Sequence, residues 1–385
     1  MVGSCGKLDS QVSRPSDGFE RRKKMKFTSN TQEFLAACNK AVRAAQRNST
    51  EMSEKLLIEV EAGYGLVRGY DLVTGISAMF DVKPELDGKI AVDAKILCGI
   101  LKKAPSETVS FETNGETVTI KSGRSRFSLQ GLSAEHFPQI PLVEGDSIKL
   151  SADELSRMTR LTSFAAAKDD SRAQYKGIEI SFNYYELSFT ALDGYRLAKA
   201  TEAIETGATG SYIVPATAMN EVARLLSGEV QVTLGDKHAE FSDGTCSVFT
   251  RLLDGRFQNF ESATPHRVVC AEVDREALAE AVERVSVTLD TTFISPIECI
   301  IRDGKIELSS RASIGTSSDS VECDTDGTVK IGLNHRYLLD ALKAADTQKV
   351  KITLENPLKP VLIEPVGEGG FKYIVLPVRL KQCDN

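Results

Sequence analysis

The sequence predicts an α+β protein that contains three copies of one domain of about 120 residues, each with two helices against antiparallel sheets. The first observation is a short strand followed directly by an amphipathic helix, a unit that occurs three times. Aligning the first large apolar residue of each helix matches Phe34, Leu155 and Leu278, which are 121 and 123 residues apart. A period of this length indicates a repeated domain.

Two further landmarks keep nearly the same period. A strand end, a helix cap and a helix follow one another around Val92, Val214 and Leu333, at spacings of 122 and 119 residues. Alternating strands begin at spacings of 121 and 120 residues, at Val109, Val230 and Val350. Because the three landmarks are independent, chance explains them poorly, and the period predicts three domains.

The period also predicts where the domains begin and end. We expect domains at residues 25–145, 146–266 and 267–380, followed by a short tail at 381–385. Residues 1–24 are polar and end in four consecutive basic residues, with no apolar segment after them. A secretory signal would need such a segment, so a disordered extension is expected there.

The elements of the first copy can be predicted in order. Helices are expected over Thr31–Arg47 and Asp93–Lys103, and Pro105 ends the second one because proline cannot continue a helix. An Asn-Gly turn then joins two alternating strands at Thr108–Thr113 and Thr117–Lys121, which is typical of a hairpin. The other two copies repeat this order.

The helix that opens the second copy has the clearest local signals. Ser151 is expected to cap it, and Glu154 three residues later completes a capping box. The spacing of the following apolar residues predicts one buried stripe. This stripe consists of Leu155, Met158, Leu161 and Thr162.

Composition places the chain among globular proteins. Hydrophobic residues make up 41% and charged residues 26%, and no apolar run reaches the length of a membrane span. The eight cysteines form no Cys-x-x-Cys pair and have no histidines at ligand spacing, which favours reduced thiols over disulfides or a zinc site. The net charge of −7 argues against a protein that simply adheres to nucleic acid. We expect a cytoplasmic protein with no membrane association, metal ion or cofactor.

The sequence contains no recognisable catalytic motif. Phosphate-binding, dinucleotide-binding and nucleophile-elbow patterns are absent, and each of the four histidines stands alone. The best candidates for an unrecognised enzyme site are Asp193, Arg196 and Asp254, and both aspartates also belong to Asp-Gly turns. The sequence therefore predicts that the protein is not an enzyme.

Positive charge on the helices hints at a nucleic-acid partner. Basic residues dominate the helices of the first two copies, whereas acidic residues dominate the first helix of the third copy. A solvated helix face is the alternative explanation. The basic residues concerned are Lys40, Arg43, Arg47, Lys95, Lys102, Lys103, Arg157, Arg160, Lys168 and Arg224.

Four segments of the sequence resemble those of a known family. They lie at Lys121–Leu129, Ala191–Ala198, Arg251–Phe257 and Tyr373–Leu380, in that order. Together they resemble the bacterial DNA polymerase III beta subunit, the replicative sliding clamp, and the resemblance extends over nearly the whole chain. It implies that two chains join head to tail into a homodimeric ring of six domains. Helices would line a hole through which double-stranded DNA passes without its sequence being read.

The resemblance also implies roles for individual residues of this ring. Phosphate contacts are implied for Arg43, Arg47, Lys95, Lys102, Arg157, Lys168 and Arg224, and the subunit interface is implied at Phe127 and Val287. Domain size is consistent with two chains, because three domains of about 35 Å leave a hole of about 5 Å, whereas six leave about 35 Å. Only the larger hole admits a duplex.

The second implied function is to hold DNA polymerase subunits, the clamp loader and repair factors through short peptides. Their apolar side chains would enter a pocket between the second and third domains. The residues implied for this pocket are Arg172, Tyr175, Leu192, Gly194, Tyr195, Arg196, Leu197, Pro265, Ile374, Leu376, Pro377, Val378, Arg379 and Leu380. Two alternatives stay open, a repeat scaffold that binds only proteins and an enzyme with an unrecognised site.

Overall fold

The structure, a computed structural model, describes residues 24–45, 51–169, 172–205, 207, 209–257, 264–289 and 296–380. The predicted extension up to residue 23, Arg47 and the tail at 381–385 lie outside the described residues. The chain divides into two compact units, Met1–Ile140 and Pro141–Asn385.

The part of the chain that the structure describes contains six α-helices, two in each predicted copy. They are α1 Thr31–Ala41, α2 Ala94–Lys102, α3 Ala152–Thr162, α4 Ala216–Leu225, α5 Arg275–Ser286 and α6 His335–Ala344. The two helices of each copy pack against each other. This arrangement confirms the predicted helix pairs.

The first unit contains two antiparallel sheets. Its described strands are β1 Lys26–Asn30, β2 Lys55–Glu61, β3 Tyr64–Tyr70, β4 Thr74–Asp81, β5 Lys83–Leu86, β6 Gly88–Asp93, β7 Thr108–Asn114, β8 Thr117–Ser122, β9 Ser125–Gln130 and β10 Leu132–Ser133. One sheet has the order β5-β1-β7-β8-β9, and the other contains β10-β6-β2-β3-β4. The predicted hairpin is β7 and β8, and Gly115 in its turn has a φ of +62°.

The second unit contains the remaining described strands. They are β11 Asp146–Ser151, β12 Gly177–Asn183, β13 Glu186–Leu192, β14 Arg196–Ala203, β15 Gly210–Pro215, β16 Glu229–Leu234, β17 His238–Ser242, β18 Cys246–Arg251, β19 Val269–Asp274, β20 Ile297–Arg302, β21 Lys305–Ala312, β22 Gly315–Thr325, β23 Val329–Leu333, β24 Lys349–Leu354, β25 Val361–Pro365 and β26 Phe371–Val375. The strands β18-β17-β16-β11 lie side by side, and so do β15-β12-β13-β14. Pairing of β14 with β26 extends the latter group into β26-β25-β24-β19, and β19 pairs onward with β22.

The same order of elements occurs three times along the chain. A strand leads into a helix, several strands follow, and a further strand leads into the second helix. Three strands then close the copy, with the two-residue β10 added in the first copy. The series begins at β1, β11 and β19, which confirms the predicted α+β repeat.

Polar caps fix the points where strands become helices. Five of the six described helices begin after a side chain that accepts a hydrogen bond from the first helical turn, at Asn30, Asp93, Ser151, Asp274 and Asn334. At α3 the predicted capping box is present, since Ser151 Oγ accepts from the Glu154 N–H at 3.1 Å and Glu154 Oε2 accepts from the Ser151 N–H at 3.1 Å. These bonds satisfy donors that a helix start leaves unpaired.

The residues that define the repeat form the core of each copy. Phe34, Leu155 and Leu278 are at most 1% exposed, and the predicted stripe of α3 is buried in full. In the first unit, Phe34 stacks on Phe80 with ring centroids 4.5 Å apart, and Phe27 stacks on Phe111 at 5.0 Å. Burial of the aligned positions explains why the apolar pattern repeats with the fold.

The first helix is shorter than the sequence predicts. It ends at Ala41 and continues only as a 3₁₀ turn over Val42–Ala44, whereas the pattern predicts a helix to Arg47. Tightening of the last turn is common at helix ends. Here β3 packs so closely that a Cβ on Gly69 would collide with the Ala41 carbonyl oxygen.

We predict that Ser151→Ala lowers the free energy of unfolding by about 1 kcal/mol, because α3 loses its capping box. Urea titration followed by circular dichroism measures the loss. Ser156→Ala is the matched control, since Ser156 lies inside the same helix, where alanine is the better helix former. Equal losses in both variants would show that the box contributes nothing specific.

Candidate functional site

The predicted pocket residues lie where the second and third copies share a sheet inside the second unit. β14 pairs with β26, with Leu197 opposite Ile374 and Arg196 opposite Val375. β26 pairs in turn with β25, which sets Leu362 opposite Ile374. Because residues directly opposite each other point to the same face, Leu197, Ile374 and Leu362 form one apolar row.

An apolar pocket of about 170 Å³ opens on this row. Its lining consists of Leu192, Gly194, Tyr195, Arg196, Leu197, Ile374 and Leu376. Leu192 lies opposite Leu197, and both belong to a buried cluster that also contains Tyr175, Leu362 and Ile374. Leu376 is 37% exposed at the opening. The pocket therefore offers a preformed apolar surface of the kind that binds apolar side chains.

The turn between β13 and β14 shapes the pocket wall. Gly194 has a φ of +92°, a conformation that residues with a side chain rarely adopt. Asp193 stabilises the turn, because its Oδ1 accepts hydrogen bonds from the backbone N–H of Tyr195 at 2.9 Å and of Arg196 at 3.0 Å. Tyr195 is held on the rim, 61% exposed, with its ring stacked 6.4 Å from that of Tyr337.

Arg196 is a buried positioning residue beside the pocket. Its Nε donates to Asp193 Oδ2 at 3.0 Å, its Nη1 to Asp340 Oδ2 at 2.6 Å, and its Nη2 to the Phe164 carbonyl oxygen at 2.6 Å. Its guanidinium also lies 4.5 Å from the centroid of the Tyr337 ring. The charge is thus compensated inside the fold, and Asp193 and Arg196 form a structural ion pair.

Of the three residues considered for an enzyme site, Asp193 and Arg196 are paired with each other, but Asp254 is not brought to them. Asp254 is exposed and lines a separate cavity with Gly255 and Phe257, away from the Asp193–Arg196 pair. Beside that pair, burial raises the pKa of the Tyr337 hydroxyl, and the Asp193 carboxylate adds to the rise. The Tyr337 hydroxyl therefore stays protonated near neutral pH.

Tyr175 belongs to the buried apolar cluster that also contains Leu192, Leu197 and Ile374 of the pocket lining. It is 4% exposed, and its ring meets that of Phe257 edge to face at 5.7 Å. Arg172 Nη1 donates a hydrogen bond to the Tyr175 hydroxyl at 2.8 Å, and the guanidinium lies 5.3 Å from the ring centroid. Arg172 therefore touches the pocket through Tyr175.

The segment after β26 runs along the pocket rim. The Leu376 N–H donates to the Tyr195 carbonyl oxygen at 2.9 Å, and the Val378 N–H donates to the Gly332 carbonyl oxygen at 2.8 Å. A Cβ on Gly332 would collide with the Val378 carbonyl oxygen, so only glycine permits this close approach. Pro377, Val378, Arg379 and Leu380 thus extend beyond the pocket along the third copy.

Several residues of the site could not be recognised from the sequence. Pro265, which the resemblance implies for the pocket, is buried but is not part of the described pocket lining. Phe257, which was not predicted for the site, packs against the apolar cluster. Leu362, Tyr337 and Asp340 contribute to the floor or the wall from β25 and α6. No local signal distinguishes them from ordinary core or helix residues. Only the pairing of distant strands, for Leu362, and the packing of α6, for Tyr337 and Asp340, reveal them.

The predicted basic residues fall into two groups. Lys95, Lys102, Lys168 and Arg224 are exposed, and none forms an ion pair with a carboxylate that the structure describes. Arg157, in contrast, bonds to Glu202 at 2.8 Å and to Asp346 at 2.7 Å, so its charge is compensated. Arg43 is half-buried in the turn after α1.

Two helix cations of the third copy are also paired with carboxylates. Arg284 bonds to Asp319 at 2.7 Å, and Lys343 bonds to Glu283 at 2.6 Å. Arg275 donates to the carbonyl oxygen of Thr347 at 2.9 Å. This arrangement agrees with the sequence, in which the basic bias does not extend to the third copy.

A sheet edge in each unit is relevant to the residues predicted for the subunit interface. In the first unit, β9 is an edge strand that pairs only with β8 among the described strands, and Phe127 in it is half-buried. In the second unit, the first part of β22 pairs with β21 along one side. Val287, just after α5, is 77% exposed.

The threefold repeat and the apolar pocket at a shared sheet define a clamp-type binding protein, with no assembled catalytic residues among those described. The chain belongs to the DNA polymerase III beta subunit family. The family's N-terminal domain matches residues 25–141, its central domain residues 149–259 and its C-terminal domain residues 266–379. This family is a non-catalytic processivity factor, which confirms the expectation that the protein is not an enzyme.

Relatives of the chain are named beta sliding clamp. A beta sliding clamp of Staphylococcus aureus is 28% identical over 290 residues, which cover 73% of this chain and 77% of the relative. A beta sliding clamp of Synechococcus elongatus is 30% identical over 303 residues, covering 74% and 80%.

Solved structures share the fold over nearly the whole chain. A putative DNA polymerase III beta subunit from Eubacterium rectale gives a TM-score of 0.88 at 27% identity, covering 92% of this chain and 99% of that one. A sliding clamp from Bartonella birtlesii bound to griselimycin gives 0.88 at 26% identity, covering 93% and 100%. Across the described ranges, no helix is long and apolar enough to cross a membrane.

We predict that Arg196→Met lowers the free energy of unfolding by about 3 kcal/mol, because the partly buried Asp193 carboxylate and the Phe164 carbonyl oxygen lose the buried guanidinium that they bind. Thermal and urea unfolding measure the loss. Arg224→Met is the matched control, since Arg224 is exposed and its replacement should change stability by less than about 0.5 kcal/mol. A loss in Arg196→Met no larger than in the control would refute the assigned role.

Proposed function

We propose that the protein is a DNA sliding clamp that encircles duplex DNA and tethers a replicative polymerase and repair factors for processive synthesis. The supporting observation is the threefold order of elements together with membership of the DNA polymerase III beta subunit family. In this proposal the domains are residues 25–145, 146–266 and 267–380, two chains form the ring, and the protein acts in the cytoplasm. An ATP-driven clamp loader would open the ring.

A closed ring around DNA would keep the protein on the duplex without high binding affinity. Duplex DNA is attracted by each exposed cation, and that attraction weakens steeply as salt rises. A ring holds the duplex by topology, so a few screened phosphate contacts are sufficient, and stronger contacts would slow sliding. The overall charge of −7 suits such a protein, since it disfavours adsorption of DNA elsewhere on the surface.

For the DNA-facing surface we propose the exposed cations first. Lys95 and Lys102 lie on α2, Lys168 follows α3, and Arg224 lies on α4. Phosphate contacts of Arg43 and Arg47 remain predictions, because Arg43 is half-buried and Arg47 lies outside the described residues. Arg157 is the weakest member of the set, because two carboxylates already hold its guanidinium.

For the subunit interface we propose edge-to-edge pairing of β9 from one chain with β22 from its partner. Edge strands present unpaired backbone groups that favour such pairing. The charges of the two edges are complementary in part: Arg124 and Arg126 accompany β9, and Glu322 lies on β22, whereas Asp319 on β22 is already bonded to Arg284. Phe127 and Val287 would add apolar contact.

For the partner peptides we propose the pocket at the shared sheet. Its apolar floor would take peptide side chains such as Leu and Phe, and burial of two of them contributes a few kcal/mol in gross terms, which suits exchangeable partners. Arg172, Tyr175, Pro265 and the segment Pro377–Leu380 would frame it. We also propose that this pocket binds griselimycin.

We predict that the loaded protein stays on nicked circular DNA during gel filtration and leaves it after one restriction cut. Topological linkage gives this result, whereas a protein-only scaffold or a phosphate binder gives the same retention before and after the cut. Phe127→Glu places a charge in the proposed interface, so it should be a monomer by native mass measurement and should lose retention.

Tyr184→Glu is the control for that variant. Tyr184 is 58% exposed in the turn between β12 and β13, far along the sequence from either proposed edge. This variant should dimerise and be retained like the unchanged protein. A Phe127→Glu protein that still dimerises would contradict the proposed interface, and retention on cut DNA would contradict the ring.

We predict that Leu376→Asp weakens griselimycin binding at least tenfold, because a carboxylate at the pocket opening disfavours apolar side chains. Isothermal titration calorimetry measures the affinity. Leu358→Asp is the control, since Leu358 is 72% exposed and is not part of the described pocket lining. Unchanged affinity in Leu376→Asp would exclude this pocket as the griselimycin site.

A further inference from the structure

A second groove continues from the pocket across the same sheet. Its volume is about 490 Å³, and it shares Leu197 and Ile374 with the pocket. Lys199 lies two residues after Leu197 on β14, and Lys372 lies two residues before Ile374 on β26. Because alternate residues of a strand share a face, a charged row lies directly beside the apolar row.

The two lysines of this row face each other. Lys199 is opposite Lys372 in the register of β14 and β26, and both line the groove. In such pairs the Cβ atoms are about 5 Å apart, and like charges are destabilising. The fold therefore places two positive charges side by side on the groove floor.

Nearby carboxylates compensate this charge only in part. Glu364 lies 3.9 Å from the Lys372 Nζ and also 3.9 Å from the Lys351 Nζ, so it is shared between two cations. Lys199 forms no ion pair with any carboxylate in the described ranges. Glu179 also lines the groove, two strands from Lys199, and its Oε1 accepts a hydrogen bond from the Ser211 hydroxyl at 3.0 Å.

We propose that this groove is an extension of the peptide site that binds an acidic residue next to the apolar anchors of a partner peptide, with its carboxylate between Lys199 and Lys372. The proposal rests on the proposed function of the apolar pocket. Two observations support it, the continuity of the groove with the pocket and the complementary charge. Partners with an acidic flank would then be preferred over partners with a neutral or basic one.

The distance between the apolar row and the lysine row determines how far from the apolar anchor the acidic residue must lie in the peptide. Two residues along a strand span about 7 Å, and an extended peptide advances about 3.5 Å per residue. A carboxylate two residues from an apolar anchor can therefore reach the lysine pair while the anchor stays in the pocket. Both lysines are half-buried, which limits screening by solvent.

The test uses labelled peptides with adjacent Leu and Phe anchors, chosen from a library because they displace griselimycin. Each is made with Glu, Gln or Lys two residues from the anchors, on either side. We expect the Glu form to bind about fivefold more tightly than the Gln form on one side, with the Lys form weaker still. The preference should fall below twofold in 1 M NaCl.

Lys199→Met combined with Lys372→Met should remove the preference while griselimycin affinity stays unchanged. Lys237→Met combined with Lys305→Met is the matched control, because it removes the same charge from exposed positions elsewhere in the unit and should keep the preference. Equal affinity for the Glu and Gln forms, or a preference that survives in the Lys199 and Lys372 variant, overturns this inference. The proposed function of the apolar pocket is unaffected by either result.

Two other outcomes have distinct meanings. If no peptide displaces griselimycin and griselimycin itself does not bind, the proposed pocket function fails and this inference fails with it. If a labelled single-stranded oligonucleotide binds the unchanged protein and the control but not the Lys199 and Lys372 variant, the groove binds phosphates and the peptide assignment is overturned.

Discussion

Backbone pairing between β14 and β26 is the constraint on which the site depends. It sets Leu197 of the second copy opposite Ile374 of the third, so neither copy alone could form the pocket floor. A slip of one residue would turn these side chains to the other face. Close packing fixes the register, since the Thr201 N–H donates to the Gly370 carbonyl oxygen at 2.6 Å and a Cβ on Gly370 would collide with the Thr201 carbonyl oxygen.

Arginine side chains hold the same two copies together around that seam. Arg196 on β14 reaches Asp340 on α6, and Arg157 on α3 reaches Asp346 just after α6. Arg160 donates to the Ala344 carbonyl oxygen at 2.9 Å. These cations already have partners in the neighbouring copy. Counting the basic residues of a helix therefore overstates how much positive charge is free to bind a phosphate. The planar guanidinium suits this use, as it can bind several acceptors at once.

The fold was predictable from the sequence because its signals are local. The cap at Ser151 and the apolar stripe after it depend on residues within one or two helical turns, and their recurrence reveals the repeat. The site was predictable only in part. Leu362 joins it through strand pairing within the third copy and Tyr337 through helix packing between copies, neither of which a local pattern encodes. The early end of α1 likewise lies beside Gly69, a residue of a later strand that no pattern within the helix reveals.

The distribution of free charge links the fold to the proposed ring. Arg284 and Lys343 of the third copy are neutralised by carboxylates, while Lys102 and Arg224 of the first two copies are exposed and have no carboxylate partner in the described ranges. A ring of two such chains would have a lining that is positive in some sectors and neutral in others. Such a lining attracts the duplex without fixing it at any point, because each exposed contact is weak and screened. Closure of the ring, not affinity, would then keep the protein on DNA.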